Sequence, residues 1–263
     1  MTRKFTNIIL STVLLAISLA PAFARPVKLE YRFRAGQTEK YRVVVKTEQS
    51  VPSDTPGAAS IPASTDTVNI MMVQKIIKTN KDGSAAVLLT IKGIGDDIKR
   101  IPPLDRSVVI SNLGEYLSKK GSLPGTSEGT AIVLPKKRVS VGDTWSTTVA
   151  LPGNIGSLKA TATYKGITSS STGKKVHKIV QSYSGVVDMS RVLSEGKTPA
   201  PGSTAKAQIQ GSGTYLLDRK DCKLVKVTGA LTSTTTIIIP KTKKAPASIT
   251  RLKSQMVTIV TRM

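Results

Sequence analysis

The stretch LPKKRVSVGDTW, residues 134–145, lies near the middle of the chain and contains its only tryptophan. Pro135 disfavours helix for the residue before it, so the stretch is expected to start extended. Val139–Val141 alternates apolar and polar residues, as a short strand with one buried face does. Gly142-Asp143 is a turn pair, because glycine accepts the positive φ that many tight turns need. We predict a connection between two groups of strands, with Trp145 filling the core at the junction and a ligand-stacking platform as the alternative.

The first 24 residues have the parts of a secretory signal peptide. Arg3 and Lys4 form a basic start, and Ile8–Ala20 is an apolar run too short to span a bilayer comfortably. Ala22–Ala24 matches an A-x-A cleavage site. We expect cleavage near Ala24, so the predicted location is periplasmic or extracellular. No later run is apolar enough to predict a transmembrane segment.

The chain is strongly basic, with 39 Lys and Arg against 16 Asp and Glu, and a formal net charge of +23. Removal of Arg3 and Lys4 with the leader lowers this charge by two. A protein of this charge attracts anionic polymers or surfaces. The spread of cations along every predicted strand favours a solubilising coat of lysine. The alternative is a functional surface, whose candidate partners are anionic envelope polymers or lipid head groups, without specific nucleic-acid recognition.

Two runs near the predicted start of the mature chain show the clearest alternation of apolar and polar residues. Val27–Arg34 and Tyr41–Lys46 each have this period, and Ala35–Thr38 contains turn residues. They predict a hairpin with an apolar inner face and a basic outer face. The pattern favours a solvated outer face, and this face is also the best candidate for an anion-binding strip. The strip consists of Lys28, Arg32, Arg34, Lys40, Arg42 and Lys46.

Alternating runs of this kind recur along the whole chain, separated by turn residues, and no amphipathic helix is evident. The pattern predicts an antiparallel all-β fold built from sequential hairpins. The hairpins form a sandwich-like pair of sheets or two tandem β units, or alternatively one curved half-barrel sheet. The units would be residues 25–134 and 146–263, joined by residues 135–145, or they form one continuous domain. Gln49–Asp66, rich in Pro, Ser, Ala and Thr, predicts a long loop.

Three short motifs resemble a family of uncharacterised bacterial exported domains, which share Y-x-F-x-x-G, V-x-V-G-D-x-W and G-x-Y-x-x-D patterns. The matching stretches are LEYRFRAGQ (29–37) with Tyr41, VSVGDTW (139–145), and GTYLLD (213–218) followed by KLVKV (223–227). The chain departs from the family at Cys222, where the last turn would have glycine. The resemblance implies export and an all-β fold, and it supplies no activity and no site residues.

Side chains suited to catalysis or metal binding are few. The single histidine, His177, lies between Val176 and Lys178 in a predicted strand and has no partner visible by motif. One His and one Cys cannot supply the three or four nitrogen or sulfur ligands of a usual zinc site. Cys222, in the turn sequence DRKDCK, is expected to be an inert surface thiol, with a reactive or intermolecular thiol as the alternative.

These observations favour an exported β protein of the bacterial envelope with a non-enzymatic binding or structural role. We expect no catalytic site, no cofactor and no metal. An apolar-ligand carrier that binds lipid on a concave sheet is the first alternative. A glycoside hydrolase that uses two carboxylates is a further one, because such an enzyme needs only two acids at the right separation.

Overall fold

The structure, a computed structural model, describes residues 25–51, 61–117, 132–151, 155–190, 202–241 and 248–263. Within these ranges the chain forms ten strands, one short 3-10 helix and no α-helix, which confirms the all-β prediction. The strands are β1 (Thr38–Val51), β2 (Ile61–Thr79), β3 (Ala85–Gly93), β4 (Leu104–Ile110), β5 (Thr144–Ala150), β6 (Ser157–Ser169), β7 (Lys175–Asp188), β8 (Thr204–Asp218), β9 (Leu224–Ile239) and β10 (Ser248–Arg262). The leader predicted for residues 1–24 lies outside the described residues. No helix in the described ranges is long and apolar enough to cross a membrane.

All ten strands belong to one antiparallel sheet, in the order β4-β3-β2-β1-β10-β9-β8-β7-β6-β5. The sequence left open a sandwich-like pair of sheets, two tandem β units or one curved sheet, and the structure has a single sheet. The first and last strands pair along their length, from Tyr41 opposite Arg262 to Ser50 opposite Lys253. The sheet thus runs through both halves of the chain. It is not closed into a barrel, because its edge strands β4 and β5 do not pair with each other.

One face of the sheet is apolar because side chains alternate along every strand. In β3, for example, Ala85, Val87, Leu89 and Ile91 are buried. Residues of this inner face from both halves of the sheet join one core cluster, which includes Ile91 of β3 together with residues of β6 and β7. We infer that the sheet curves around this cluster.

Two stretches outside the strands fill the inner face. Leu29 comes from the N-terminal segment, residues 25–34, and Ile132 and Leu134 precede the central connection; all three are almost fully buried in the core cluster. Tyr31 ties the two stretches together, since its hydroxyl donates to the carbonyl of Ile132 over 3.1 Å. The inner face is therefore covered by the chain itself at this end.

The hairpin predicted from Val27–Arg34 and Tyr41–Lys46 is wrong. The partners of β1 are β2 and β10, and the N-terminal segment makes only an isolated bridge between Val27 and Val139 among the described residues. The segment alternates because one of its sides packs into the core. Alternation reports which side is buried and does not identify the hydrogen-bonding partner.

Trp145 packs at the core as predicted. It is the second residue of β5, contacts the core cluster and donates from Nε1 to the carbonyl of Val133 over 2.7 Å. Gly142 has the expected positive φ, 96°. Val139 is buried as predicted, but Val141 is 58% exposed, because the turn that begins there takes it away from the core.

The predicted loop Gln49–Asp66 is shorter than expected. β1 continues to Val51 and β2 begins at Ile61, with Gln49 opposite Ser64; residues 52–60 lie outside the described ranges. Hydrogen bonds between strands join backbone groups, so a strand can continue whatever its side chains are. The ends of β1 and β2 have polar side chains on both faces, and the sequence therefore shows no apolar alternation there from which a strand could be predicted.

The prediction that Cys222 is a surface thiol is also wrong. Its side chain is 4% exposed and belongs to the core cluster. Its backbone has φ of 52°, the only positive φ at a non-glycine residue in the described part of the chain. Cys222 is therefore a turn residue in the left-handed conformation. The resemblance to the exported family predicts glycine at this position.

Candidate anion-binding surface

Three of the six predicted strip residues lie together on β1. Lys40, Arg42 and Lys46 are exposed, and they alternate with Tyr41 and Val43, which are buried in the core. A strand directs successive side chains to opposite faces, so these cations belong to the outer face of the sheet. This part of the candidate strip is a continuous feature of one strand.

The other three strip residues lie elsewhere. Lys28, Arg32 and Arg34 are exposed on the N-terminal segment, which packs inside the sheet and does not pair with β1. The Nζ of Lys28 lies 2.9 Å from a carboxylate oxygen of Glu30, and the backbone of Arg32 bonds to the carbonyl of Asp221. The six residues do not form one strip.

The strand register places other cations in line with Arg42. Across the outer face from β3 to β7, one row of directly paired positions reads Lys92, Met71, Arg42, Thr261, Lys226, Leu216 and Lys178. We call the four cations of this row, Lys92, Arg42, Lys226 and Lys178, the cationic row. Sequence reasoning missed three of its four members.

The spacing of the cationic row follows from the sheet. Its members come from every second strand, β3, β1, β9 and β7, and neighbouring strands lie about 4.8 Å apart, so successive cations stand about 10 Å apart at the backbone. Lys226 and Lys178 are half-buried and both lie opposite Leu216. Their stems can cover this apolar neighbour while the ammonium groups stay in water.

The carboxylates near the sheet neutralise other cations. Glu48 lies 2.8 Å from Lys46, and both Asp66 and Asp97 contact Arg100. Within the described part of the chain, no carboxylate forms an ion pair with any member of the cationic row. Arg42 donates to the amide oxygen of Asn69 over 3.4 Å, which leaves its charge uncompensated. The row is thus a line of positive charge whose members form no ion pair among the described residues. The nearest acids are Asp97, which accepts from the same Asn69, and Asp105 and Asp218 in the adjoining row of paired positions.

Beside the cationic row, the outer face of β5 to β9 is rich in hydroxyl groups. Paired positions in the next three rows are Thr144, Ser146, Thr148, Thr161, Thr163, Ser182, Ser184, Gln210, Ser212, Thr214, Thr228 and Thr232, with Lys159, Val180 and Ala230 among them. Threonine suits an exposed strand surface whatever its function. These three rows of side chains offer hydrogen-bond donors and acceptors without negative charge.

A second basic feature lies at the sheet edge. A groove of about 670 Å³ runs beside β5 and is lined by Trp145 and by Lys136, Lys137 and Arg138. Trp145 is half-buried there, with its indole nitrogen already bonded to Val133. The groove also contains two acids, Glu115 and Asp143, which reduce its positive charge. It is the alternative surface for an anion.

His177 and Cys222 are both buried, and each contributes to the packing of the interior. The Nδ1 of His177 lies 2.9 Å from the hydroxyl of Tyr164, and burial, with a smaller effect of Arg219, lowers the pKa of His177. Burial raises the pKa of the Cys222 thiol to about 11, so the thiolate needed for nucleophilic attack is scarce at neutral pH. No group of three or more His, Cys, Asp or Glu side chains suited to a metal ion occurs in the described ranges.

The cavity in the core is small. A space of about 50 Å³ lies among Tyr31, Phe33, Tyr41, Met72 and Ile76, next to the buried side chains of Glu39 and Lys223. Ligand pockets for small organic molecules usually measure about 300–1,000 Å³. This cavity has room for a few water molecules and is much smaller than the pockets that usually hold an organic ligand.

No family model matches this chain, and no curated protein matches it. Among solved structures, the chain is similar to an outer membrane channel from Pseudomonas putida F1. The identity is 10%, and the TM-score is 0.22 over 91% of this chain and 100% of the other. A TM-score this low does not establish a shared fold or a shared function.

Proposed function

We propose that this protein is an exported, non-enzymatic binding protein of the bacterial envelope, and that its cationic row binds an anionic polymer. The observation that supports this most strongly is the alignment of Lys92, Arg42, Lys226 and Lys178 at one register across seven strands. The signal peptide predicted for residues 1–24 supports the location.

A polymer suits the cationic row better than a small anion does. An exposed ion pair contributes only about 0.2–1 kcal/mol, so one cation of the row binds an isolated anion weakly. Four such contacts to one chain together supply about 2 kcal/mol, or roughly thirtyfold in affinity. Binding of this kind weakens as salt is added, because exposed charges are screened.

The lipid-carrier alternative conflicts with the core. The N-terminal segment and residues 132–139 fill the inner face at one end of the sheet, and the cavity there is about 50 Å³. A carrier needs a pocket several times larger, typically about 300 Å³ or more.

Among the neighbouring carboxylates that the hydrolase alternative could use, Glu39 and Asp221 share the cation of Lys223, and Asp66 and Asp97 form a second pair. Both contact the same guanidinium, at 2.6 Å and 3.1 Å from Arg100. The hydrogen bond from Arg100 lowers the pKa of Asp66, whereas a catalytic acid needs a raised pKa. Asp97 also accepts from the backbone nitrogen of Asn69 over 2.8 Å. These acids therefore anchor the chain between β3 and β4.

The test compares two variants with the same charge loss. One replaces the cationic row with glutamine (Lys92→Gln, Arg42→Gln, Lys226→Gln, Lys178→Gln), and the control removes four exposed cations elsewhere (Lys81→Gln, Lys99→Gln, Lys136→Gln, Lys137→Gln). Binding of fluorescently labelled alginate is followed by polarisation at several salt concentrations.

The row variant should bind alginate about tenfold more weakly or worse, with a shallower salt dependence, while the control stays near wild type. Equal losses in the two variants would mean that net charge alone is responsible. A larger loss in the control would move the site to the groove beside Trp145.

A further inference from the structure

The geometry of the cationic row points to a more specific ligand, and this inference rests on the proposed function. We infer that the polymer is an anionic glycan with one negative charge per disaccharide, lying across the strands along the row. The inference joins three observations: the spacing of the cations, the half-burial of two of them, Lys226 and Lys178, and the hydroxyl-rich rows beside them.

Spacing comes first. The cations occupy every second strand, so their backbone positions repeat at about 10 Å, which is comparable to the length of an extended disaccharide. The positions between them hold the uncharged side chains of Met71, Thr261 and Leu216. A glycan charged on alternate sugars sets each negative charge near a cation. A polymer charged at every unit would leave every second charge over an uncharged side chain.

The second observation is that two of the lysine side chains are half-buried, which limits how far their charged groups can move from the spacing of the strands. Lysine side chains on open surface can move their charges by several ångströms, which would blur any register. Lys226 and Lys178 are half-buried and flank Leu216 from both sides. Packing of their methylene groups against this neighbour restricts the ammonium positions, so the register of the strands is passed on to these two of the four charges.

The neighbouring rows suit a carbohydrate. Thr228, Thr214 and Thr163 lie in the row next to the cations, where their hydroxyls can donate to and accept from sugar hydroxyls. A lipid surface is less well matched. The apolar side chains between the cations, Met71 and Leu216, are half-buried. One exposed apolar residue, Ile259, lies in the next row opposite Thr228, which is little apolar surface for a bilayer.

The experiment moves cations out of the row without changing composition. Two double substitutions exchange neighbours on the same face of one strand: Lys226→Thr with Thr228→Lys, and Lys178→Val with Val180→Lys. Each keeps the net charge and shifts one cation by about 6.7 Å along the strand. The probes are hyaluronan, with one carboxylate per disaccharide, alginate, with one per sugar, polyphosphate, and vesicles containing anionic phospholipid.

We expect wild-type protein to bind hyaluronan more tightly per charge than the other probes. Combining the two exchanges should weaken hyaluronan binding by roughly tenfold and weaken alginate binding by a smaller factor, because alginate carries a charge on every sugar and the exchanged cations stay on the same face. Circular dichroism of both exchanged proteins checks that the sheet is intact.

Three outcomes would overturn the inference. If alginate and polyphosphate bind as tightly per charge as hyaluronan and the exchanges have no effect, the row recognises charge density alone, and the proposed function stands without the disaccharide rule. Preference for vesicles would replace the glycan by a membrane surface. Binding to none of the probes would remove the proposed function as well.

Discussion

The Nζ of Lys223 donates to Oε1 of Glu39 over 2.9 Å, and this contact joins residues 184 positions apart. Both side chains are nearly inaccessible, at 5% and 3% exposure. The Nε of Arg262 lies 2.6 Å from the other oxygen of Glu39, and Gln37 donates to Oε1 over 2.7 Å. Glu39 thus links the start of β1, the turn before β9 and the end of β10.

Replacing Glu39 by glutamine should destabilise the fold strongly. The change leaves the buried Lys223 cation with only the more distant carboxylate of Asp221, at 3.8 Å, and breaking a buried pair on one side costs about 3–5 kcal/mol. Urea unfolding followed by Trp145 fluorescence measures the loss.

The matched control is Glu48→Gln. It removes the exposed partner of Lys46 and should cost less than about 1 kcal/mol. Similar losses for the two variants would show that the Glu39 pair is not isolated from water.

His177 should make stability depend on pH. Burial lowers its pKa in the folded protein, so the unfolded chain binds a proton at a higher pH than the folded one does. Its contribution is fully present above the unfolded value of about 6.5 and is lost as the pH falls from there towards the folded pKa. As the chain has one histidine, His177→Gln should flatten the dependence of unfolding free energy on pH between about 5 and 7. An unchanged slope would contradict the burial of a neutral imidazole.

Cys222 offers a test of backbone strain. A left-handed conformation costs a non-glycine residue about 1–2 kcal/mol, and Cys222 has φ of 52°. Both Cys222→Ala and Cys222→Gly lose the buried sulfur, but only glycine relieves the strain. The glycine variant should therefore be the more stable of the two, by about 1 kcal/mol in urea unfolding. A more stable alanine variant would mean that the turn is not left-handed in solution.

The thiol of Cys222 should also be unreactive in the folded protein. Burial and a pKa of about 11 disfavour the thiolate, which is the reactive form. Labelling with a disulfide reagent at pH 8 should proceed at the rate of unfolding and speed up with urea. Fast labelling of the native protein would support the reactive-thiol alternative.

Strands with one buried face could be predicted from the sequence, whereas strand partners could not. The alternation in Ala85–Ile91 identifies a strand and its buried side, and the structure agrees. The same period in Val27–Arg34 belongs to a segment that makes one bridge. The pairing of β1 with β10 closes a contact across almost the whole chain, and no local pattern encodes it.

The cationic row could not be predicted from the sequence for the same reason, because it depends on which strands pair. Arg42 was identifiable because it alternates with buried residues in a strand near the start of the chain. Lys92, Lys226 and Lys178 have equally ordinary neighbours in sequence, and only the register of six strand pairs brings them into line with Arg42. Lys28, Arg32 and Arg34 belong to the predicted strip only through a hairpin that does not form.

Lysine footprinting tests the role of the cationic row most directly, because it uses the unaltered protein. Lysines are acetylated in the presence and absence of hyaluronan at low salt, and the modification of each residue is measured by mass spectrometry. Lys92, Lys178 and Lys226 should be protected together, while Lys81, Lys136 and Lys137 keep their reactivity. Uniform protection of all lysines, or protection confined to Lys136 and Lys137, would contradict binding along the row.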